Sequence, residues 1–147
     1  MSVLFNTYGP RQSDRAIIPT IISQILNGET KIKLGNLTPT RDLNFVKDTA
    51  RAFLSIEKVT KLNGEVTNVG LNDEISIGDL AHLICDLMDQ DIEIVNDEQR
   101  VRPEKSEVER LVCNNTKILH HTDWKPKYNL ETGLRETIDW LETHLIY

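Results

Sequence analysis

The segment from Ala16 to Leu34 reads AIIPTIISQILNGETKIKL and contains, in order, a helix, a stop signal and a strand. Its first half carries apolar residues at spacings of three and four, the pattern of an amphipathic helix: Ile18, Ile21, Ile22, Ile25 and Leu26. Pro19 suits the first helical turn, and Asn27-Gly28 suits the C-terminal stop. Residues 31–34 then alternate between polar and apolar side chains, which predicts a strand.

Helical and extended patterns alternate on both sides of this segment. Further helices are predicted over residues 76–88, 115–121 and 129–145. One more helix is predicted, with an apolar face formed by Val46, Ala50, Phe53, Leu54 and Val59. Short strands are predicted at residues 3–6, 41–46, 65–69 and 91–95. No repeat or linker divides the chain. The prediction is one domain over residues 1–147, of class α/β in an α+β-like form, with about five helices and a few short strands.

The composition excludes several classes of function. The 147 residues include 17 basic and 23 acidic side chains, and the net charge of −6 argues against a nucleic-acid partner, because phosphate backbones select basic surfaces. No apolar run approaches the roughly 20 residues of a membrane-spanning helix, and no signal peptide is expected. With only two cysteines, Cys85 and Cys113, the chain is predicted to be cytoplasmic.

The positions of glycine and histidine argue against cofactor and metal sites. No two of the seven glycines are spaced two apart, so neither a dinucleotide fingerprint nor a nucleoside-triphosphate loop is present. His120 and His121 are neighbours and would point apart on a helix, while His82 and His144 are distant in sequence. We therefore expect that this chain holds no metal and no cofactor by itself.

Arginines at junctions between loops and strands are the strongest chemical signal. Arg41 stands at the mouth of a predicted strand, and Arg100 and Arg102 flank an exposed, highly charged loop. Such side chains suit forked recognition of phosphate. The structural alternative is that they pair with acids that are close in sequence, namely Asp42, Asp48, Glu104 and Glu107.

Six motifs, in the right order along nearly the whole chain, resemble the extended short-chain dehydrogenases/reductases, the NAD-dependent epimerases and dehydratases of nucleotide sugars. They are Phe5–Gln12, Arg41–Ala50, Gly64–Gly70, Ser76–Ala81, Arg102–Val108 and Trp124–Leu134. The string from Arg102 to Leu111 is most similar to the nucleotide-sugar 4,6-dehydratases, which suggests a pathway to surface polysaccharide. The resemblance implies that the fold is the C-terminal, substrate-binding half of an extended Rossmann-type enzyme.

The resemblance also implies which residues bind substrate. The set is Asn6, Ile17, Ile32, Arg41, Asn44, Arg102 and Glu107. By this likeness Asn6, Arg41 and Arg102 hold the sugar diphosphate, with bidentate arginines suited to that task. The resemblance also implies that Ile17 and Ile32 lie beside the nucleobase and that Glu107 reaches the ribose. A nucleotide diphosphate sugar, with UDP-sugars favoured, is the expected partner.

Other parts of the family pattern are missing. The catalytic Tyr-x-x-x-Lys is not present, because Gln12 and Thr132 stand four residues after Tyr8 and Tyr128. The Gly-rich NAD loop is missing too, so we expect a truncated gene product or a fragment that is inactive alone.

A non-catalytic interaction or assembly protein that keeps the fold is the alternative, and a small enzyme of unknown type is a third. Strands at residues 3–6 and 65–69 would be sheet edges, which predicts a homo-oligomer.

Overall fold

The computed structural model describes residues 1–145, which form five α-helices and nine short strands. The helices are α1 (Ile17–Leu26), α2 (Val46–Glu57), α3 (Ile77–Leu87), α4 (Thr116–His121) and α5 (Leu130–His144). The strands are β1 (Ser2–Leu4), β2 (Thr7–Tyr8), β3 (Lys31–Leu34), β4 (Thr40–Arg41), β5 (Asn44–Phe45), β6 (Thr67–Val69), β7 (Ile75–Ser76), β8 (Glu93–Asn96) and β9 (Arg110–Leu111). This mixed α/β architecture with five helices confirms the predicted class.

The strands pair across large sequence distances, in four small sheets among the residues that are described. β1 pairs with β6, β2 with β5 and β3 with β8, each in parallel. In the remaining sheet β4 lies in the centre, antiparallel to β7 and parallel to β9. Because parallel neighbours need crossover connections, helices and loops bring each pair together.

The main core lies between α1, α3 and α5, which contact one another and cover β3. Its fully buried side chains include Ile18, Ile21, Ile22, Ile32, Leu34, Leu80, Ile84 and Leu134. Each such burial contributes about 1.5–3 kcal/mol. α5 starts where it was predicted, because Asn129 and Thr132 form a reciprocal capping box.

A second core joins α2, β6 and α4. Ala52, Val69, Ile118 and Trp124 are buried together there. The indole Nε1 of Trp124 donates to the Asp48 carbonyl at 2.9 Å. The Asp48 carboxylate, buried at the start of α2, accepts the amides of Lys127 and Tyr128. Asp48 therefore connects the first turn of α2 to the segment that leads into α5.

The predicted apolar face of α2 is wrong. Phe53 and Leu54 are 45% and 59% exposed, whereas the helix buries Asp48, Thr49 and Ala52. Small and hydrogen-bonded side chains let the helix approach β2 and β5 closely. The Thr49 hydroxyl, for example, lies 3.0 Å from the Thr7 hydroxyl and accepts from Asn44 Nδ2 at 2.7 Å. Periodicity identified the bulky side of the helix, but partner groups elsewhere in the chain decide which side is buried.

No helix within residues 1–145 has the length and apolarity that crossing a bilayer requires. Cys85 and Cys113 are both buried and carry free thiols. Burial is the main cause that raises the pKa of Cys113 to about 12, with the Asp42 charge adding to it.

Candidate functional site

One cavity of about 390 Å³ lies where the N-terminal end of α1, the end of β3 and the strand β4 meet the loop of residues 97–109, here called the arginine loop. Its polar wall includes Asn6, Gln12, Arg15, Asn36, Arg41, Arg100, Arg102 and Glu107. Its apolar wall is formed by Ala16, Ile17, Ile18, Leu34, Leu43 and Ile77. Charged groups from distant segments thus face one concave, partly apolar space, which is the usual composition of a ligand site.

The cavity has an excess of positive charge. Four arginines face a single acid, Glu107, and Arg100 is held 3.5 Å from Asp97. Within residues 1–145, Arg15, Arg41 and Arg102 have no carboxylate oxygen within 4.0 Å. Among the described residues, the pairing with nearby acids that the structural alternative requires is therefore found for Arg100 but not for Arg41 or Arg102. Guanidinium groups without a carboxylate partner, grouped in one cavity, favour an anionic ligand with several oxygens.

Arg41 is placed by its neighbour in the chain. The Asp42 carboxylate is fully buried and accepts the amides of Leu71, Asn72 and Cys113 at 2.9, 2.8 and 3.0 Å. Three backbone donors on one carboxylate attach β4 to two separate loops. Arg41 is thereby held at the cavity wall, and its Nη1 donates to the Thr40 carbonyl at 2.7 Å.

The arginine loop is attached to the end of β3. The amide of Asp97 donates to the Leu34 carbonyl at 2.6 Å, and Asn96 Nδ2 donates to the Gly35 carbonyl at 3.1 Å. Gly35 also has to be small, because a Cβ at this position would lie 2.5 Å from the Arg100 carbonyl oxygen. The close backbone contact fixes where the loop begins its course over the cavity.

Two amide side chains in the cavity wall carry unpaired atoms. Gln12 Nε2 donates to the Thr7 carbonyl at 3.2 Å, and its Oε1 is enclosed without a hydrogen-bond partner in the described part of the chain. Asn6 Nδ2 is likewise enclosed and unpaired, and Asn6 has a φ of 24°, which is rare outside glycine. Unpaired buried polar groups and backbone strain cluster at functional sites.

The structure brings together five of the seven substrate contacts that the resemblance implies. Asn6, Ile17, Arg41, Arg102 and Glu107 line the cavity, whereas Ile32 and Asn44 do not. Ile32 is completely buried in β3, opposite Ile94, and Asn44 donates to Thr49 inside the protein. Neither side chain reaches the cavity wall, and the reason is the same for both: each is already enclosed by protein.

Leu34, two residues after Ile32, reaches the cavity instead. Sequence reasoning assigned no role to Gln12, Arg15 or Asn36. The sequence held a signal for Gln12, which belongs to the first motif, and for Arg15, which lies two residues before α1. Loop position alone did not distinguish Asn36 from other polar residues.

The two tyrosines that the structure describes are engaged away from the cavity. Tyr8 is buried and donates to the Leu130 carbonyl at 3.3 Å, and burial, with a smaller contribution from Asp48, raises its pKa far above the usual range. Tyr128 donates to Glu136 at 2.9 Å. Neither hydroxyl is placed to act as a base on a ligand bound between the arginines.

Comparisons with known proteins show the family of the chain. The family model described as GDP-mannose 4,6 dehydratase matches residues 1–137. The dTDP-glucose 4,6-dehydratase of Escherichia coli is 32% identical over 142 residues, which are 92% of this chain and 38% of that protein. The UDP-N-acetyl-alpha-D-glucosaminuronate decarboxylase of Bacillus cytotoxicus is 33% identical over 141 residues, which are 92% of this chain and 44% of that protein.

A solved structure shows the same relation. The dTDP-glucose 4,6-dehydratase of Bacillus anthracis, in complex with NAD, superposes with a TM-score of 0.78 at 30% identity, covering 97% of this chain and 44% of that one. The chain thus spans less than half the length of the relatives it matches. The motifs, the α/β fold and the family match together confirm the resemblance, and the chain belongs to the GDP-mannose 4,6 dehydratase family.

Proposed function

We propose that this chain binds a nucleotide diphosphate sugar in the cavity beside the arginine loop. The observation that carries the proposal is the grouping of Arg15, Arg41 and Arg102, which have no carboxylate partner within residues 1–145, around one cavity of about 390 Å³. A diphosphate supplies the charge and the planar oxygen pairs that forked guanidinium groups recognise. The names of the relatives, which include dTDP-glucose and UDP-sugar enzymes, support this class of ligand.

The wall suggests how such a ligand is divided along the cavity. Arg41 and Arg102 bind the diphosphate as a clamp, since they come from β4 and the arginine loop. Glu107, the acid of the wall, accepts a ribose hydroxyl. Ile17 and Leu34 supply the apolar surface for the base, so Leu34 takes the role that the resemblance implied for Ile32. UDP-sugars remain the favoured class.

NAD does not fit the residues of this chain. A pyrophosphate needs glycines at which its oxygens can approach the backbone. The space at Gly9, Gly35, Gly70 and Gly133 is filled by protein atoms. Gly28 and Gly64 are open, but they follow a helix and a turn rather than precede a helix. Gly78 lies in the first turn of α3, but its amide already donates to the Leu37 carbonyl at 2.9 Å. We therefore expect no NAD binding and no dehydratase turnover from this chain alone.

The test is a titration of the chain with UDP-glucose, dTDP-glucose, GDP-mannose and CDP-glucose. Binding is measured by the shift in Tm on thermal unfolding and by calorimetry. A ligand that binds only the folded state stabilises it by about 2.7 kcal/mol at a concentration of 100 Kd. We expect a rise in Tm with at least one of them and the largest rise with the UDP-sugar. If none of the four shifts Tm at millimolar concentration, the proposal fails and the non-catalytic assembly protein is favoured.

We propose further that copies of this chain associate. In the described residues β1 and β6 pair only with each other, so each has an edge with free backbone donors and acceptors. Leu4 and Val66 beside these edges are 43% and 49% exposed, although Val69 is covered by the second core. Light scattering after size exclusion at low micromolar concentration should give a mass above that of one chain. A monomer would contradict the association.

The cellular setting stays a prediction. A cytoplasmic location is supported by the two buried free thiols, which a reducing compartment preserves. A role in surface polysaccharide synthesis rests on the likeness to enzymes of nucleotide sugars. Fractionation of cells that express the chain, with immunodetection, tests the location directly.

A further inference from the structure

The far end of the arginine loop is tied down by a three-way contact between side chains. Arg110 on β9 places its Nε 2.9 Å from Glu74 Oε2 and its Nη2 2.9 Å from Glu74 Oε1. The hydroxyl of Thr40 on β4 donates to the same Oε2 at 2.7 Å. Glu74 immediately precedes β7. One carboxylate therefore joins all three strands of the β7-β4-β9 sheet.

This sheet contains Arg41 and the end of the loop that carries Arg102, the two arginines of the proposed diphosphate clamp. Thr40 directly precedes Arg41, and Arg110 ends the loop on which Arg102 and Glu107 lie. The backbone pairing between β4 and β9 covers only two residues on each strand. Because so short a ladder has few backbone hydrogen bonds, the side-chain contact between the strands contributes a larger share of what holds β4 and β9 in register.

We propose that Glu74 and Arg110 are positioning residues, which hold the arginine loop so that Arg102 faces Arg41 across the cavity. This inference rests on the proposed function for its effect on binding. Neither Glu74 nor Arg110 is among the residues that line the 390 Å³ cavity, so both act through the loop. Exposed ion pairs usually contribute little, but this one is bidentate and shared with a third side chain, which restricts its geometry.

The charge state supports a persistent contact. Hydrogen bonds from Arg110 first, and then from Thr40, lower the pKa of Glu74 below its ordinary value. The carboxylate is therefore ionised throughout the neutral range. The same hydrogen bonding by Glu74 raises the pKa of Arg110. The chain also offers a matched control: Arg135 pairs with Glu131 at 2.9 Å on the exposed side of α5, outside the cavity.

The experiment compares Arg110→Ala, Glu74→Gln and Arg135→Ala in calorimetric titrations with UDP-glucose. We expect Arg110→Ala and Glu74→Gln to raise Kd roughly fivefold, as the loss of a coupling near 1 kcal/mol does, and Arg135→Ala to leave Kd unchanged. Arg110→Lys should recover part of the affinity. In an Arg102→Ala background, Arg110→Ala should have a smaller effect than in the unmodified chain, because of the two ligand contacts on the loop only that of Glu107 is then left to lose.

A second measurement needs no ligand. The amides of Thr40 and Asp42 donate to the Glu109 and Leu111 carbonyls at 2.8 and 3.0 Å, so their hydrogen exchange reports whether β4 and β9 stay paired. Arg110→Ala should accelerate exchange at both amides, and the α5 control should not. Unchanged exchange, or a loss of affinity that adds fully to that of Arg102→Ala, would overturn the inference. If the unmodified chain binds no nucleotide sugar, the proposed function falls, whereas exchange still decides whether the contact holds the loop.

Discussion

Replacing Asp42 by Asn should destabilise the fold by about 2–4 kcal/mol. In the native carboxylate Oδ1 accepts the amide of Leu71, and Oδ2 accepts the amides of Asn72 and Cys113. An asparagine that keeps its oxygen at the Oδ2 position retains two of these bonds, now without charge, and turns an NH₂ group toward the Leu71 amide. One hydrogen bond to a charged group, about 1.5–3 kcal/mol, is lost, and two others are weakened. Relief of the buried charge offsets part of that sum.

Equilibrium urea unfolding followed by tryptophan fluorescence measures this effect. With a slope of about 2 kcal/mol/M, the midpoint should fall by about 1–2 M. Asp123→Asn is the matched control, because Asp123 is exposed and surface substitutions usually stay within about 0.5 kcal/mol. A midpoint for Asp42→Asn within about 0.3 M of that of the unmodified chain, well under the expected shift, would refute the account of Asp42 as the anchor of two loops.

Three further predictions concern the cavity and the buried thiol. Arg41→Ala and Arg102→Ala should each weaken nucleotide-sugar binding by roughly 1.5–3 kcal/mol in calorimetry, with little change in Tm; normal affinity in either variant would remove that residue from the clamp. Gly35→Ala should displace the arginine loop, since the new Cβ meets one of its carbonyl oxygens at 2.5 Å, and should raise Kd several-fold while Gly78→Ala does not. Cys113 should react with a disulfide reagent at pH 8 only after unfolding, because burial holds its pKa at about 12 and little thiolate forms; rapid labelling of the native chain would contradict this.

Several elements follow from local sequence alone. α1 covers Ile17–Leu26, within one residue of its predicted start, because its isoleucines repeat at helical spacing and Asn27-Gly28 ends it. The strand at residues 31–34 was predicted with the same bounds. α5 begins after the Asn129 cap. Each of these depends on residues a few positions apart, so the pattern and its physical cause lie within the same short window.

The candidate site was only partly accessible to such reasoning. Motif order identified the family and named Asn6, Arg41 and Arg102, which do line the cavity. It could not separate Ile32 from Leu34, because both lie on the same face of β3. Which of the two reaches the cavity depends on how the neighbouring loops cover the end of the strand. Arg15 joins the cavity only because the segment before α1 and the strand β4 border the same space, and no local pattern encodes that arrangement.

By itself, the sequence determined the fold class, the five helices, the strand at residues 31–34, the family, and the anionic character of the ligand that we expect. Only the tertiary structure decided which side of α2 is buried, which arginines lack a carboxylate partner within residues 1–145, and how Asp42 and Glu74 attach β4 to loops far away in the chain. The physical reason is that helical and strand propensities act between near neighbours. Burial and charge pairing are instead decided by contacts between segments that meet only when the chain has folded.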